Sequence, residues 1–350
     1  MLEAVLTISA SLMLSLFLTP LMISLAKALR IYDVPDSRKR HSSPTPLLGG
    51  LAICVAAIAS IAVFGTTPRL FAKPVLLLGG AGVAFMGMID DMIHLCAKKR
   101  MAILVCIALI VFFGCIQFYF SGPGIMAQGD SFDRIVFGAY IIIWIVGITN
   151  AVNFMDGLDG LASFLSLISA IAFAVIFCVQ GRITLVLTAT LALTGAVAGF
   201  LPYNRSPAMV FMGDAGSMFI GFMLSLLSIT SVAHESTVLA IVVPIYILFV
   251  PILDMCLAIL RRLLMKRSVM QPDNSHFHHK LNTLFRDHLI VVIILSLVQT
   301  AFAAAGILIY MHRAYVLGWA AIVMTAAGAA VYTVITVKMS IRRAAGEGGA

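Results

Sequence analysis

The chain has 350 residues, of which 61% are hydrophobic and only 11% are charged, and its formal net charge is +8. A mean hydropathy of +1.08 over this length excludes a soluble globular protein and predicts a polytopic membrane protein. The positive charge requires no nucleic acid as a partner, because Lys and Arg in a bacterial-type inner membrane protein gather beside anionic lipid headgroups and anionic substrates.

Apolar runs long enough to cross a hydrocarbon layer of about 30 Å recur along the chain, and about eleven of them are predicted to be transmembrane helices. The fold class is therefore predicted as all-α, with a single transmembrane domain over residues 1–340 and a disordered tail over 341–350. The predicted spans are 3–28, 47–64, 74–92, 101–120, 134–153, 157–179, 183–201, 215–233, 238–260, 288–311 and 314–338.

The positive charges predict how these spans are oriented in the membrane. When the connections are assigned to alternate faces, 18 of the 23 Lys and Arg residues fall on one face and five on the other. The positive-inside rule makes the first face cytoplasmic, so we expect the N-terminus outside and the C-terminus in the cytoplasm. The polar motifs of the chain fall on that same face.

The first polar motif is a basic loop that runs into a glycine pair at the start of the second span. A basic run beside a membrane is usually only a topology signal. Here the flanking prolines and the pair Gly49–Gly50 favour a shaped loop that contacts an anionic lipid or nucleotide. The charged and titratable residues of the loop are Asp36, Arg38, Lys39, Arg40 and His41.

A pair of acids, Asp90 and Asp91, ends the third span and is followed by Lys98, Lys99 and Arg100. Adjacent residues on a helix point about 100° apart, so one carboxylate can face a central cleft while its neighbour orients a lysine or a metal-bound water. The alternative is a solvated cap at the end of the helix.

Two amides and two carboxylates recur every three residues in the segment NAVNFMDGLDG, across the junction of the fifth and sixth spans. They are Asn150, Asn153, Asp156 and Asp159. Residues three apart are neighbours on a helix, so consecutive members can share one cluster. Their oxygens are hard ligands suited to Mg²⁺ or Mn²⁺, and acids in a membrane protein predict a functional site.

Asp214 lies between two glycines in the motif FMGDAGS, just before the eighth span. Gly213 and Gly216 permit a close approach of the backbone to a ligand, and the N-terminus of the following helix favours a phosphate. The alternative is that Asp214 only caps this helix.

Three histidines lie in the sequence PDNSHFHHK, within the longest polar connection at about 261–287; they are His276, His278 and His279. We prefer contacts with phosphate and uracil over a transition-metal site, because no thiolate accompanies the histidines and carboxylates are better ligands for Mg²⁺. Asp254, inside the ninth span, is expected to pair with a nearby helix or with one of the two arginines that follow it.

Five motifs, in this order and spacing, resemble those of the polyprenyl-phosphate N-acetylhexosamine-1-phosphate transferases of glycosyltransferase family 4. They are PDSRKRHSSPTPLLGG, DD with the following KKR, NAVNFMDGLDGLA, FMGDAGS and HFHH, and the resemblance covers nearly the whole chain. Within the family the chain most resembles the WecA type, which starts O-antigen and common-antigen chains, because HFHH replaces the HHH run typical of the MraY muropeptide enzymes.

The resemblance implies a reaction in which undecaprenyl phosphate attacks the β-phosphorus of a UDP-N-acetylhexosamine, with UDP-N-acetylglucosamine as the first choice. UMP leaves, and the lipid-linked sugar pyrophosphate initiates a cell-envelope polysaccharide. The resemblance also implies Mg²⁺ as the cofactor, with Mn²⁺ as an alternative, and an active site on the cytoplasmic face of the bacterial inner membrane. A homodimer is left open.

The same resemblance implies roles for individual residues. Asp214 is implied to bind the metal, with help from Asn153. The implied catalytic residues are two pairs of aspartates. Asp90 and Asp91 lie beside the attacking phosphate. Asp156 and Asp159 shape the surroundings of the nucleotide and the metal. The implied substrate-binding residues, which hold phosphates or contact the donor, are Arg38, Lys39, His41, Lys98, Arg100, Asn150, His276, His278 and His279.

Two features of the reaction stay open from the sequence. An aspartate, Asp91 or Asp214, could attack the donor first and give a phospho-enzyme. Relatives of the WecA type commonly carry a basic residue just before the histidine motif, where this chain has Asn274 and Ser275. This departure leaves room for a different N-acetylated sugar, such as a 6-deoxyhexosamine.

Three other classes of protein fit the sequence less well. A secondary transporter would hold its acids near the bilayer midplane, often at broken helices of an inverted repeat, whereas these acids are predicted at inner helix ends and no repeat is visible. A membrane prenyltransferase is expected to carry two aspartate-rich motifs and has little need for a histidine loop. An intramembrane aspartyl protease requires two acids, fewer than the set near this face.

Overall fold

Apolar α-helices make up most of the described chain, and within it seven helices are long and apolar enough to cross a membrane. The computed structural model describes residues 2–33, 44–67, 72–120, 131–181, 185–231, 237–266, 268, 277–314, 316, 318–325, 328–329 and 333. The prediction of an all-α polytopic membrane protein is confirmed, while the count of about eleven spans stays a prediction.

The predicted spans from 3–28 to 288–311 each coincide with one helix, except that 238–260 is divided between two. The helices are α1 (Leu2–Leu29), α2 (Gly49–Phe64), α3 (Ala72–Ile93), α4 (Ala97–Phe120), α5 (Ser131–Phe154), α6 (Leu161–Val179), α7 (Leu185–Asn204), α8 (Gly213–Ser231), α9 (Thr237–Ile247), α10 (Phe249–Leu264), α11 (Phe277–Phe285) and α12 (His288–His312). Two short strands, β1 (Tyr32–Asp33) and β2 (Thr45–Pro46), lie between α1 and α2.

Small and hydroxyl-bearing residues bring α1 and α7 into close contact. The hydroxyls of Ser11 and Ser15 donate hydrogen bonds to the carbonyls of Ala192 and Ala196, at 2.6 and 2.7 Å. In a membrane, where hydrophobic burial gives little preference for helix association, small residues and interhelical hydrogen bonds hold helices together. This pair supports one side of the bundle around the buried helix α8.

A short ladder joins the chain before α2 to the chain before α8. β1 and β2 are antiparallel, with Tyr32 opposite Pro46, and the N–H of Phe211 donates to the Pro46 carbonyl at 2.9 Å. The N–H groups of Gly49 and Gly50 then donate to the carbonyls of Phe211 and Met212. The glycine pair that was predicted to shape a ligand loop therefore packs the start of α2 against the start of α8.

The predicted span 238–260 is broken, with α9 and α10 meeting at an angle of 93°. A helix continued through residue 251 would use its N–H to bond the carbonyl of Ile247, but Pro251 has no N–H. Gln299 of α12 and the hydroxyl of Ser169 in α6 donate to that carbonyl instead, and the Gln299 side-chain oxygen accepts the N–H of Val250 at 2.9 Å. The break is therefore held by side chains of two other helices.

Replacing Gln299 with Leu should lower the free energy of unfolding by about 2–4 kcal/mol, because it leaves buried backbone groups at the break without partners. Gln299 is fully buried. The measurement is the thermal unfolding temperature of the purified protein in detergent. Thr300→Val is the matched control, since the exposed Thr300 hydroxyl donates to the Ser296 carbonyl of its own helix. An equal shift in both variants would contradict the role given to Gln299.

Candidate active site

The polar residues of three helices meet where these helices begin or end. Asp90 and Asp91 lie in the last turn of α3, Asn153 lies at the end of α5, and Asp214 lies in the first turn of α8. Gly87 permits this approach, because a Cβ atom there would lie 2.4 Å from the Asp214 carbonyl oxygen. The sequence motifs around these residues are thus brought together at one end of the bundle.

Asp91 caps α8 from another helix. Its two carboxylate oxygens accept the backbone N–H groups of Asp214 and Ala215, at 2.8 and 3.1 Å. Gly213 precedes this turn with a φ of +68°, and a Cβ at that position would lie 2.7 Å from the Asp91 carboxylate. The helix N-terminus that was expected to favour a phosphate is thus occupied by Asp91.

Asn153 orients the side chain of Asp214. The Asn153 amide donates to Oδ1 of Asp214 at 2.6 Å and to the hydroxyl of Ser217 at 2.9 Å. The Ser217 hydroxyl in turn donates to the Gly213 carbonyl at 2.8 Å. Ser217 was not singled out from the sequence, although its place one turn after Gly213 in the motif FMGDAGS puts it on the same face of α8.

Arg100, in the first turns of α4, contacts two of the carboxylates. Its Nη1 lies 2.9 Å from Oδ2 of Asp90 and 3.4 Å from Oδ2 of Asp214. Asp90 is buried, and its other oxygen accepts the N–H of Leu95 at 2.6 Å. Lys98, by contrast, is exposed. Arg100 is therefore placed to balance the acids, whereas the phosphate-binding roles of Arg100 and Lys98 stay predictions.

The other three polar residues of the segment NAVNFMDGLDG point in different directions. The Asn150 amide donates to the carbonyl of Val146 in its own helix at 2.7 Å, and Asp159 accepts the N–H of Ala208 at 3.0 Å. Asp156 faces the centre: it accepts the N–H of Gly213, and burial and the charges of Asp214 and Asp91 raise its pKa well above the usual range. Of these four polar residues, Asn153 and Asp156 thus interact with the turn that carries Asp214.

Replacing Asp156 with Asn should raise the unfolding temperature of the metal-free protein near neutral pH. A carboxyl whose pKa is raised by folding destabilises the folded state as pH rises above the range where the unfolded group ionises, so the gain should vanish in acid. Asn still offers an oxygen to the Gly213 N–H. The measurement is unfolding temperature against pH with a chelator present. Asp287→Asn, at the cap of α12, is the control for a change of acid to amide outside the site. A lower unfolding temperature for Asp156→Asn at neutral pH would contradict the prediction.

The side chains of the site include oxygen ligands of the kind that Mg²⁺ prefers, while Mg²⁺ as the cofactor stays a prediction. Carboxylates at Asp214 and Asp156 and the amide at Asn153 are hard ligands, and the single arginine described above contacts only two of the acids. Among the described residues, no group of three or more His, Cys, Asp or Glu side chains could hold a metal by itself. Mg²⁺ is commonly held by one or two carboxylates and completed by water and substrate phosphates.

The histidine motif is described only in part. His278 is buried in α11 beside Asp254, which confirms that Asp254 pairs with a nearby helix. The other predicted substrate-binding residues Arg38, Lys39, His41 and His276 lie outside the described residues, as does the side chain of His279. Their roles stay predictions.

Comparison with known proteins assigns this architecture to a family. Residues 74–232 match the family described as Glycosyl transferase family 4. The chain is 36% identical over 316 residues to a probable undecaprenyl-phosphate N-acetylglucosaminyl 1-phosphate transferase of Bacillus subtilis, covering 88% of this chain and 86% of the relative. It is 32% identical over 330 residues to a decaprenyl-phosphate N-acetylglucosaminephosphotransferase of Mycobacterium leprae, covering 85% and 82%. It is 28% identical over 331 residues to an undecaprenyl-phosphate alpha-N-acetylglucosaminyl 1-phosphate transferase of Escherichia coli, covering 91% and 88%.

Proposed function

The chain belongs to glycosyl transferase family 4, and from that membership and the site we infer that it transfers a sugar-1-phosphate from a nucleotide sugar to a polyprenyl phosphate. The relatives carry this activity in their names. The observation that carries the inference to this site is the meeting of Asp214, Asn153 and Arg100 at the helix ends. The chain is thus an enzyme, and the alternative of a secondary transporter is rejected.

We also propose which sugar nucleotide is the donor and which lipid is the acceptor. We take UDP-N-acetylglucosamine as the donor and undecaprenyl phosphate as the acceptor, because relatives from Bacillus subtilis and Escherichia coli are named for these groups. UMP would leave, and the lipid-linked N-acetylglucosamine pyrophosphate would start a cell-envelope polysaccharide. Asn274 and Ser275, just before the histidine motif, keep a different N-acetylated sugar as the alternative donor.

The side chains of the site supply charge balance and positioning. A lipid phosphate is largely dianionic near neutral pH, so it requires charge relief and alignment more than a strong base. Arg100, freed from Asp214 by a rotation of its guanidinium, would hold the phosphates that react. Asn153 orients Asp214, and Asp91 fixes the turn that carries it. Asp214 with Asn153 would hold Mg²⁺, which supplies charge relief at the leaving UMP.

The membrane placement is also proposed. Helices of spanning length and bacterial relatives support a multi-pass bacterial membrane protein. We place it in the inner membrane with about eleven spans, the N-terminus outside and the C-terminus and active site at the cytoplasmic face, because the positive-inside rule favours that orientation. This is the face on which a cytoplasmic nucleotide sugar meets the enzyme.

Incubating the purified protein with Mg²⁺, undecaprenyl phosphate and a panel of UDP-sugars should release UMP with one preferred sugar. Absence of UMP release with every sugar would overturn the proposed reaction, and release with a sugar other than N-acetylglucosamine would correct the donor. Exchange of labelled UMP into the UDP-sugar without lipid separates the two mechanisms. Exchange indicates a phospho-enzyme, whereas its absence indicates direct attack by the lipid phosphate.

A further inference from the structure

A buried carboxylate on α10 holds the beginning of α11. Asp254 is only 2% exposed, and its Oδ1 accepts the backbone N–H of Phe277, the first residue of α11, at 2.6 Å. A charged acceptor at a helix N-terminus satisfies an N–H that has no partner within the helix and interacts favourably with the helix dipole. Asp254 thus caps the N-terminus of α11 from a separate helix, as Asp91 caps the N-terminus of α8.

The same carboxylate oxygen lies beside a histidine of the family motif. Nδ1 of His278 is 3.8 Å from Oδ1 of Asp254, and His278 is 1% exposed. Asn282, one turn further along α11, is also buried. α11 has only nine residues, and a helix of this length is marginal unless tertiary contacts hold it. The orientation of the histidine motif therefore depends on what anchors this short helix.

The helix that carries Asp254 packs against α5. Met255, the next residue, faces Gly147 of α5, which lies six residues, or about 9 Å along the helix axis, before Asn153. At its other end α10 begins at the break held by Gln299 and Ser169. A contact from Asp254 to α11 thus fixes the histidine helix relative to the helix that orients Asp214.

We propose that Asp254 is a positioning residue of the transferase, which anchors the N-terminus of α11 beside the buried His278 and so orients the histidine motif for binding of the nucleotide-sugar donor. The proposal deepens the proposed function and rests on it for the identity of the donor. The anchoring itself does not depend on that function. Asp254 touches neither substrate in this role and acts through α11.

Two substitutions separate anchoring by hydrogen bond from simple packing. Asp254→Ala removes the acceptor of the Phe277 N–H, whereas Asp254→Asn keeps an oxygen that accepts it. Asp287→Ala is the matched control, because the Asp287 carboxylate caps the next helix, α12, with bonds to the N–H groups of Leu289 and Ile290. The three variants are made in the full chain and purified in detergent beside the wild type.

The first measurement is hydrogen–deuterium exchange of peptides covering 277–285, which needs no activity. Asp254→Ala should speed exchange in α11 by about ten-fold or more, the factor that corresponds to loss of one hydrogen bond to a charged group. Asp254→Asn should rescue most of this protection, and Asp287→Ala should leave α11 unchanged. Unchanged exchange in Asp254→Ala would overturn the anchoring, whether or not the protein transfers sugars.

The second measurement is the kinetics of UMP release with donor and lipid varied separately. Asp254→Ala should raise the KM for the UDP-sugar by about ten-fold while the KM for the lipid stays within about two-fold. Asp254→Asn should recover donor KM values near the wild type. A fall in kcat alone, with both KM values unchanged, would mean that Asp254 only stabilises the fold and would overturn the positioning role. If the wild type releases no UMP, the proposed function fails and the exchange result still decides the anchor.

Discussion

Asp214→Asn is expected to lower the rate of UMP release by about a thousand-fold, which corresponds to about 4 kcal/mol of transition-state stabilisation. The Asp214 carboxylate accepts from the Asn153 amide at 2.6 Å and lies 3.4 Å from Arg100. An amide at this position would turn its NH2 group towards one of those two donors and would be a weaker ligand for Mg²⁺. The measurement is initial-rate kinetics at saturating donor and lipid.

The comparison for Asp214→Asn is a second acid-to-amide change at a helix N-terminus. Asp287→Asn, at the exposed cap of α12, should keep near wild-type turnover. Both variants should unfold near the wild-type temperature, so a loss of rate can be assigned to chemistry. Retention of more than about a tenth of the wild-type rate in Asp214→Asn would remove Asp214 from the proposed metal site.

Gly87→Ala is expected to reduce turnover by about a hundred-fold, because it separates the acids of α3 from Asp214. The added Cβ would lie 2.4 Å from the Asp214 carbonyl oxygen and 2.6 Å from the Ala215 Cα, both of them backbone atoms. Neither atom can move without displacing the first turn of α8. The N–H groups that Asp91 accepts would shift with it, and the unfolding temperature should fall as well.

Gly82→Ala on the same helix provides the matched test. A Cβ at Gly82 would meet only the side chain of Ile107, at 3.6 Å, which is an ordinary contact. This variant should keep its activity and gain slightly in stability, since Ala favours a helix more than Gly. Similar behaviour of the two alanine variants in rate and unfolding temperature would contradict the close packing assigned to Gly87.

The five motifs were sufficient to predict the family, and they include the acids and the amide that meet at the site, although Ser217 was missed. Asp90, Asp91, Asn153 and Asp214 were selected from the sequence because amides and acids are rare in apolar spans, and the structure places them at one end of the bundle. Comparison with relatives confirmed the family. Such motifs are easy to recognise in the sequence of a membrane protein, because polar residues are rare in its apolar spans.

The hydrogen-bond partners of these residues were harder to predict from the sequence. Periodicity placed Asn150 and Asn153 on one helical face, but Asn150 bonds to its own helix while Asn153 reaches α8. The motif FMGDAGS predicts space for a ligand at its glycines, whereas Gly213 makes room for the Asp91 carboxylate. Similarly, the break between α9 and α10 is hidden in a continuous apolar run, and only the neighbouring helices supply its hydrogen bonds.

By itself, the sequence determined that this is a helical membrane enzyme of its family, because hydropathy and short motifs depend on the properties of each residue and its near neighbours. Only the tertiary structure decided which side chains and backbone groups contact one another. Asp91 and Asp214 are 123 residues apart, and Asp254 is 23 residues from the N–H it accepts. Such contacts depend on how whole helices pack and where glycines let backbones touch, and that geometry is a property of the assembled bundle.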